Sequence, residues 1–156
     1  MLNTNTYFPS TSDEANIDHI FEDPASHFSI YLSSQTAAYN KNLLDIYDIK
    51  YVLTVAKHMN DSPFPESFEY KIIEIDDLPS EDLHIQQGID FMEKSLKKGN
   101  LLVHCANGIS RSPSMVCAYL IHKLCINSNE ALDMVKAKRH VNPNFGFLKQ
   151  LESFHN

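Results

Sequence analysis

Several features that would place a protein in a particular class are scarce or missing in this chain. It has no tryptophan, and it has only three cysteines and four glycines among 156 residues. No apolar run approaches the roughly 20 residues that a membrane-spanning helix needs, which argues against an integral membrane protein. Hydrophobic residues make up 43% of the chain and charged residues 21%, a composition typical of a globular domain.

Positive charge is also scarce. The chain has 13 Lys+Arg residues against 20 Asp+Glu residues, which gives a net charge of -7. Nucleic acids and anionic membranes both bind through a basic protein face, so we expect neither as a partner. A local positive pocket is still compatible with this balance.

The cysteines indicate a reducing environment. Cys105, Cys117 and Cys125 make an odd count, and the N-terminal residues are polar and uncharged, unlike a secretory leader. We therefore predict free thiols and a cytoplasmic location, with access to the nucleus left open. The sequence does not indicate an oligomeric state.

The chain does contain an alternation of strand-like and helix-like segments. Residues 1–16 are polar and predict a flexible tail, and residues 17–156 predict a single domain. The predicted strands are 29–32, 50–56, 70–75 and 101–103, and the predicted helices are 36–47, 80–98, 112–124, 127–139 and 147–154. Such alternation predicts an α/β fold with a sheet that is at least partly parallel.

The most informative segment joins the last predicted strand to a helix that is apolar nearly all round. At such a junction backbone N–H groups and the helix dipole converge, which predicts an anion site. Gly108 allows a tight turn, and Arg111 adds a planar fork that can hold two phosphate oxygens. The predicted phosphate cradle consists of Ala106, Asn107, Gly108, Ile109, Ser110 and Arg111.

Cys105 begins the same loop. A thiolate is the reactive form of cysteine, and aligned amides, a helix N-terminus and a guanidinium all stabilise it. A lone cysteine at a strand end is more often a packing residue, so its combination with Gly108 and Arg111 carries the prediction. We expect Cys105 to attack a phosphate ester and form a phosphocysteine that water then removes.

The pattern His104-Cys105-x-x-Gly108-x-x-Arg111-Ser112 resembles the signature of the protein tyrosine phosphatase superfamily. The remaining sequence is similar to its small atypical dual-specificity branch over roughly residues 17–155. The resemblance implies a single catalytic domain over residues 17–156, with a central mixed sheet flanked by helices and no metal or cofactor. It also implies phosphoprotein substrates and a shallow pocket open to phosphotyrosine, phosphoserine and phosphothreonine; the preference among these and the physiological substrate are left open.

The resemblance further implies a general acid after the strand that precedes the long helix. Asp77, two residues after Ile75, matches the position best, and Asp76 is the runner-up. An aspartate in such a loop commonly only caps a helix or solvates the turn. Protonation of the leaving oxygen is nevertheless the function that the family would require here.

Other residues are expected in supporting roles. Ser112 would donate to the Cys105 sulfur when the thiolate leaves, His104 would orient the loop and favour the thiolate, and Asn144 would cap the last helix and brace the loop. Asn107 departs from the family pattern, which usually has a small residue there. We expect catalysis to tolerate it, because the loop works mainly through backbone amides.

Three other functions compete with this interpretation. A catalytically weak or dead module that binds phosphoproteins would lose Cys105 or Arg111, and both are present. A phosphatase for phosphoinositides or RNA 5′ ends would carry extra basic residues in the loop, and residues 106–110 have none. A sulfur-transfer protein would not need an arginine and a serine at the start of the helix.

Overall fold

The computed structural model of the protein describes residues 16–57 and 62–154. Within these residues the strands are β1 (Ile17–Glu22), β2 (Ser29–Ser33), β3 (Ile49–Val55), β4 (Glu69–Ile73) and β5 (Asn100–His104). The helices are α1 (Gln35–Ala38), α2 (Lys41–Ile46), α3 (Ile85–Leu96), α4 (Arg111–Leu124), α5 (Ser128–Lys136) and α6 (Phe145–Ser153). Apart from Asn16, the predicted tail lies outside the described residues.

The five strands form one sheet in the order β1-β2-β5-β3-β4. β1 is antiparallel to β2, and the other neighbouring pairs are parallel. The predicted mixed, partly parallel α/β sheet is therefore confirmed. Because β2, β3 and β5 are parallel, their carboxyl ends lie at one edge, and His104 pairs there with Ser33 on one side and Thr54 on the other.

β5 and α4 form the middle of the domain. Leu101, Leu102 and Val103 have no exposed surface. The strand is covered on both faces, and this explains why its sequence is a continuous apolar run instead of an alternating one. Helix α4 is buried from Ser112 through Ile121 and contacts α3, α5, α6 and β5. The loop between β5 and α4 is consequently anchored at both ends in the core.

The predicted helix over 36–47 is two short helices in the structure. Asn40 interrupts it, and its side-chain Oδ1 accepts a hydrogen bond from Leu43 N at 3.2 Å to cap α2. Asparagine competes with the helix in this way because its short amide side chain bonds to nearby backbone. The prediction of helical structure in this segment is confirmed, and the prediction of one continuous helix is wrong.

The start of α3 and the presence of β1 also differ from the sequence prediction. The helix predicted to begin at Ser80 begins at Ile85, after His84 in a left-handed conformation with φ 53. β1 was not predicted, since Ile17 and Ile20 are the two buried hydrophobic residues in it. An edge strand with one half-buried face gives a weak apolar pattern.

Helix α5 is capped by Asn127, whose Oδ1 accepts a hydrogen bond from Glu130 N at 2.9 Å. Asn144 caps α6 in the same way, accepting from Phe147 N at 3.0 Å, so that helix starts two residues earlier than predicted. Across the part of the chain that is described, none of the helices combines the length and apolar character needed to cross a bilayer.

Candidate active site

The loop from Cys105 to Ser110 is held from outside through its carbonyl groups. The donors to the four carbonyls of residues 106–109 are Gln35 N to Ala106 O at 3.0 Å, Arg139 Nη2 to Asn107 O at 3.0 Å, Arg139 Nε to Gly108 O at 2.9 Å, and Asn142 N to Ile109 O at 2.7 Å. A trans peptide directs its C=O and N–H in opposite directions. The amides of residues 107–110 therefore point toward the inner side of the loop, as in an anion-binding nest.

Gly108 is required by this geometry. Its φ is +67°, and an added Cβ would lie 2.6 Å from both Ser33 O and Arg139 Nη2. A side chain at this position would be strained by the backbone conformation and would also collide with main-chain oxygen. The predicted tight turn therefore has a second cause, the close approach of the loop to the end of β2.

The Cys105 thiol lies at the base of the loop and the residue is only 2% exposed. Its Sγ accepts a hydrogen bond from Gly108 N at 3.3 Å and another from Ser112 Oγ at 3.1 Å. The N-terminus of α4 begins at Arg111, close to the sulfur. Gly108 N and Ser112 Oγ thus hold the sulfur at the point where the loop meets the first turn of α4.

His104 supports the loop from beneath. Its Nδ1 lies 3.3 Å from Cys105 O and its Nε2 lies 2.8 Å from Thr54 Oγ1. A carbonyl can only accept, so Nδ1 carries the proton and Nε2 accepts from the Thr54 hydroxyl. Burial lowers the pKa of His104 from 6.5 to about 4, which keeps the ring neutral near pH 7 and this tautomer fixed.

Asp77 is brought to the loop by two donors. Its Oδ1 accepts from Ser110 Oγ at 2.6 Å and from Asn144 Nδ2 at 2.8 Å, and Asn144 N donates to Ser110 Oγ at 3.0 Å. Arg111 Nη1 donates to Ile75 O at 3.1 Å, two residues before Asp77. The structure thus brings together the loop, the arginine at the start of α4 and the strand-end aspartate.

Asp76 is directed to different partners. Its Oδ2 is 3.4 Å from Lys57 Nζ, and its backbone N donates to Glu81 Oε1 at 2.7 Å. The carboxylates of Asp76 and Glu81 raise the pKa of Lys57, and Asp76 has the larger effect. The two adjacent aspartates therefore occupy distinct environments, and Asp77 is the one that bonds to Ser110 of the loop.

Sequence reasoning missed the residues that hold the loop carbonyls. The main-chain oxygens of the loop accept hydrogen bonds from Arg139, Asn142 and Gln35. Arg139 also donates from Nη1 to Asp18 Oδ2 at 3.0 Å. One available signal was composition, because the chain has only two arginines, Arg111 and Arg139. Within residues 16–57 and 62–154, no group of three or more His, Cys, Asp or Glu side chains is arranged to hold a metal ion.

The family model and two similar relatives all indicate the same family. Residues 30–156 match the family model described as dual specificity phosphatase, catalytic domain. The chain is 39% identical over 127 residues to dual specificity protein phosphatase 1 of Arabidopsis thaliana, covering 79% of this chain and 64% of that protein. It is 36% identical over 129 residues to dual specificity protein phosphatase 1B of the same plant, covering 80% and 77% respectively.

A solved structure with the same fold is that of the human tyrosine phosphatase-like serine/threonine/tyrosine-interacting protein. The TM-score is 0.79 at 25% sequence identity, and the match covers 88% of this chain and 93% of that one. The similarity therefore extends over the sheet and the helices that position the loop.

Proposed function

This chain belongs to the dual specificity phosphatase catalytic-domain family, and from that membership we propose that it hydrolyses phosphotyrosine and phosphoserine or phosphothreonine in proteins through a phosphocysteine on Cys105. The observation that carries the proposal is the environment of the sulfur. Cys105 Sγ accepts two hydrogen bonds at the base of a loop whose amides point inward. A nucleophile and a phosphate cradle thus share one loop.

In the first proposed step the Cys105 thiolate attacks phosphorus and the P–O bond to the substrate side chain breaks. The loop amides and the Arg111 guanidinium bind the non-bridging phosphate oxygens. Asp77 gives its proton to the departing alkoxide or phenolate oxygen. The products of this step are the dephosphorylated protein, a phosphocysteine and the Asp77 carboxylate.

In the second step water attacks phosphorus and the P–S bond breaks, with its electron pair returning to sulfur. Asp77 takes a proton from the water, and Ser112 stabilises the leaving thiolate by donating a hydrogen bond to Sγ. The 3.1 Å separation of Ser112 Oγ and Cys105 Sγ supports this role. Inorganic phosphate is released and the enzyme returns to its starting state.

Asp77 is preferred to Asp76 as the acid. Asp77 is exposed at the loop, where Ser110 and Asn144 both donate to its Oδ1, so its second oxygen is the one proposed to carry the proton. Asp76 bonds instead with Lys57. Asn144 is proposed to brace the acid as well as to cap α6, and neutral His104 to fix the loop by hydrogen bonds without exchanging protons.

A second candidate function is that of a phosphoprotein-binding module with weak or no turnover. It is favoured by the likeness to a solved protein whose name describes a phosphatase-like interacting protein. The same inward amides and Arg111 would bind a phosphorylated side chain whether or not chemistry follows. Family membership makes phosphoproteins the expected ligands in either case.

The cellular setting is also part of the proposal. We place the catalytic unit at residues 17–156, preceded by a tail over 1–16, in the cytoplasm with nuclear access left open. The thiols of Cys105, Cys117 and Cys125 are all free, as expected for a reducing compartment. Nucleic acid is not an expected partner, and the oligomeric state is left open.

The test compares wild type with Cys105→Ser and Arg111→Ala on an aryl phosphate in the presence of chelator. We expect metal-independent turnover by wild type and none by Cys105→Ser, since a neutral hydroxyl is a poor nucleophile at neutral pH. Phosphopeptide binding should persist or tighten in Cys105→Ser, which lacks the thiolate's repulsion of the phosphate, and weaken in Arg111→Ala.

Cys125→Ser, at the exposed cysteine beyond the far end of α4, is the matched control and should keep wild-type turnover. Wild-type turnover in Cys105→Ser would disprove the phosphocysteine mechanism. Phosphopeptide binding by wild type without any turnover would favour the binding module.

A further inference from the structure

We propose that Arg139, with Asp18 as its counter-ion, is a positioning residue that aims the amides of Gly108 and Ile109 at the bound phosphate. The loop geometry itself carries this inference, and only its consequence for turnover rests on the proposed function. Arg139 lies just beyond α5, on a different segment from both ends of the loop.

The guanidinium donates in three directions. Nε bonds to Gly108 O at 2.9 Å, Nη2 bonds to Asn107 O at 3.0 Å, and Nη1 bonds to Asp18 Oδ2 at 3.0 Å. The Arg139 side chain is 10% exposed. With all three nitrogens engaged and little surface in solvent, the group acts through the loop instead of contacting substrate.

The effect on the loop follows from peptide geometry. Asn107 C=O belongs to the same planar unit as Gly108 N–H, and Gly108 C=O belongs to the same unit as Ile109 N–H. By holding both oxygens outward, Arg139 turns both N–H groups inward. The first of these already reaches Cys105 Sγ at 3.3 Å, which ties the orientation of the arginine to the environment of the nucleophile.

Arginine is the residue type that this task requires. A guanidinium presents several donors in a rigid plane and can hold two carbonyls and a carboxylate together, whereas a lysine ammonium is a single point charge on a flexible stem. Only two of the 13 basic Lys and Arg residues in the chain are arginines. Arg111 starts the helix that follows the loop, and Arg139 fixes the loop from behind.

Asp18 lies in β1, the edge strand that pairs only with β2. Its carboxylate compensates the charge of a nearly buried guanidinium, which would otherwise be costly to desolvate. The family model matches from residue 30 onward, so Asp18 lies outside the matched segment. β1 therefore contributes to the site a charge that the segment matched by the family model does not supply.

The experiment measures the dissociation constant of tungstate, a phosphate-like oxyanion, by calorimetry, together with kcat and KM on an aryl phosphate. The variants are Arg139→Met, Arg139→Lys and Asp18→Asn. We expect Arg139→Met to weaken tungstate binding on the order of tenfold and to lower kcat, because charge-assisted hydrogen bonds that fix two peptide units are lost. Arg139→Lys should rescue part of the loss, and Asp18→Asn should give a smaller effect of the same kind.

Lys41→Met is the matched control, since it breaks the exposed ion pair with Asp45 on α2 and touches no loop residue. It should leave the tungstate constant unchanged. Measurements are made well below each variant's Tm. If Arg139 had only a structural role, Tm would fall while the tungstate constant of the folded protein stayed at the wild-type value, which would overturn the proposal.

The two proposals can fail separately. If wild type does not turn over phosphate esters but tungstate affinity still depends on Arg139, the positioning role stands and the enzymatic function does not. If turnover is present and Arg139→Met has wild-type kcat, KM and tungstate affinity, the positioning role is wrong. Should Arg139→Met fail to fold, the same criteria apply to Arg139→Lys and Asp18→Asn.

Discussion

The two parts of the candidate site are held in different ways. The loop after β5 is fixed through main-chain carbonyls from Ala106 to Ile109, and its cysteine is nearly buried. The segment that carries Asp77 is exposed and is connected to the loop through the side chains of Ser110 and Asn144. One part is a candidate phosphate cradle fixed through its main chain, and the other is a side chain supported by two donors.

This contrast has a chemical consequence. In the proposed mechanism the loop must be pre-organised, because its amides can stabilise charge on phosphate only if they need not reorient during the reaction. The proposed acid, Asp77, is needed only when the leaving group is a poor one. Changes to the loop should therefore affect binding and turnover together, whereas changes around Asp77 should affect turnover alone and in proportion to leaving-group basicity.

The broadest effect is expected from Gly108→Ala, which should impair both turnover on all substrates and oxyanion binding. The new Cβ would lie 2.6 Å from Ser33 O at a φ of +67°. The loop would have to shift, and its amides would no longer point toward the bound phosphate. We expect turnover to fall by roughly 10²–10³, as when a pre-organised oxyanion donor is removed, and tungstate binding to weaken as well. Steady-state kinetics and calorimetry provide the measurements.

Gly88→Ala in α3 is the control for Gly108→Ala, because its Cβ would collide with the flexible Met115 side chain in the core, away from the loop. It should lower Tm with turnover retained below that temperature. Unchanged activity in Gly108→Ala would contradict the pre-organised loop.

The next effect concerns Asp77→Asn. Turnover should fall by roughly 10²–10⁴ on alkyl phosphates and much less on an aryl phosphate with an acidic phenol, with tungstate binding retained. Asp76→Asn is the matched control and should keep wild-type turnover on both alkyl and aryl phosphates. If Asp76→Asn gives the leaving-group pattern and Asp77→Asn does not, the assignment is off by one residue.

A smaller change is expected for Asn144→Ala. It removes both the cap of α6 and one donor to Asp77. Loss of a cap costs about 1 kcal/mol of stability, and loss of the donor should slow turnover of poor substrates by roughly tenfold. Asn127→Ala removes the equivalent cap of α5. It should lower stability by a similar amount to Asn144→Ala without slowing turnover. Equal kinetics for the two variants would refute the bracing role.

The last effect is on stability alone and comes from His104. Its pKa of about 4 in the folded protein lies below its ordinary 6.5, so the unfolded chain binds the extra proton first as pH falls. The contribution of neutral His104 to the free energy of unfolding is therefore present in full above pH 6.5 and is lost as the pH falls toward 4. Between pH 7 and 5 wild type should lose about 2 kcal/mol more unfolding free energy than His104→Gln.

Denaturant titrations at both pH values measure this difference, with exposed His140→Gln as control. That control should follow wild type. If His104→Gln shows the same pH dependence as wild type, the buried neutral histidine does not contribute as described.

The parts of the fold that sequence could predict are those encoded locally. The run Leu101 to Val103, the glycine turn and the apolar helix from Ser112 follow one another in the chain, and α4 begins within one residue of its predicted start. Asn127, which caps α5, and Glu130, whose backbone N donates to it, are likewise only three positions apart. Short-range hydrogen bonding and burial of a continuous apolar run leave a pattern in the sequence.

The contacts behind the loop left no such pattern. Arg139 and Asp18 are separated by 121 residues, and the loop atoms that Arg139 contacts are main-chain oxygens, which every residue carries. The edge strand β1 was missed for a related reason, since it buries few large apolar side chains. The roles assigned to Cys105, Asp77 and the other site residues stay predictions until they are measured.

The most direct test of the central claim is to trap the phosphocysteine. Ser112→Ala removes the hydroxyl 3.1 Å from Cys105 Sγ and should slow the second step more than the first. Rapid acid quench after mixing with an aryl phosphate, followed by peptide mass spectrometry, should find a phosphoryl group on Cys105 and a burst of phenol close to one per protein molecule. Phenol release without a phosphoryl group on Cys105 at any time point would contradict the mechanism.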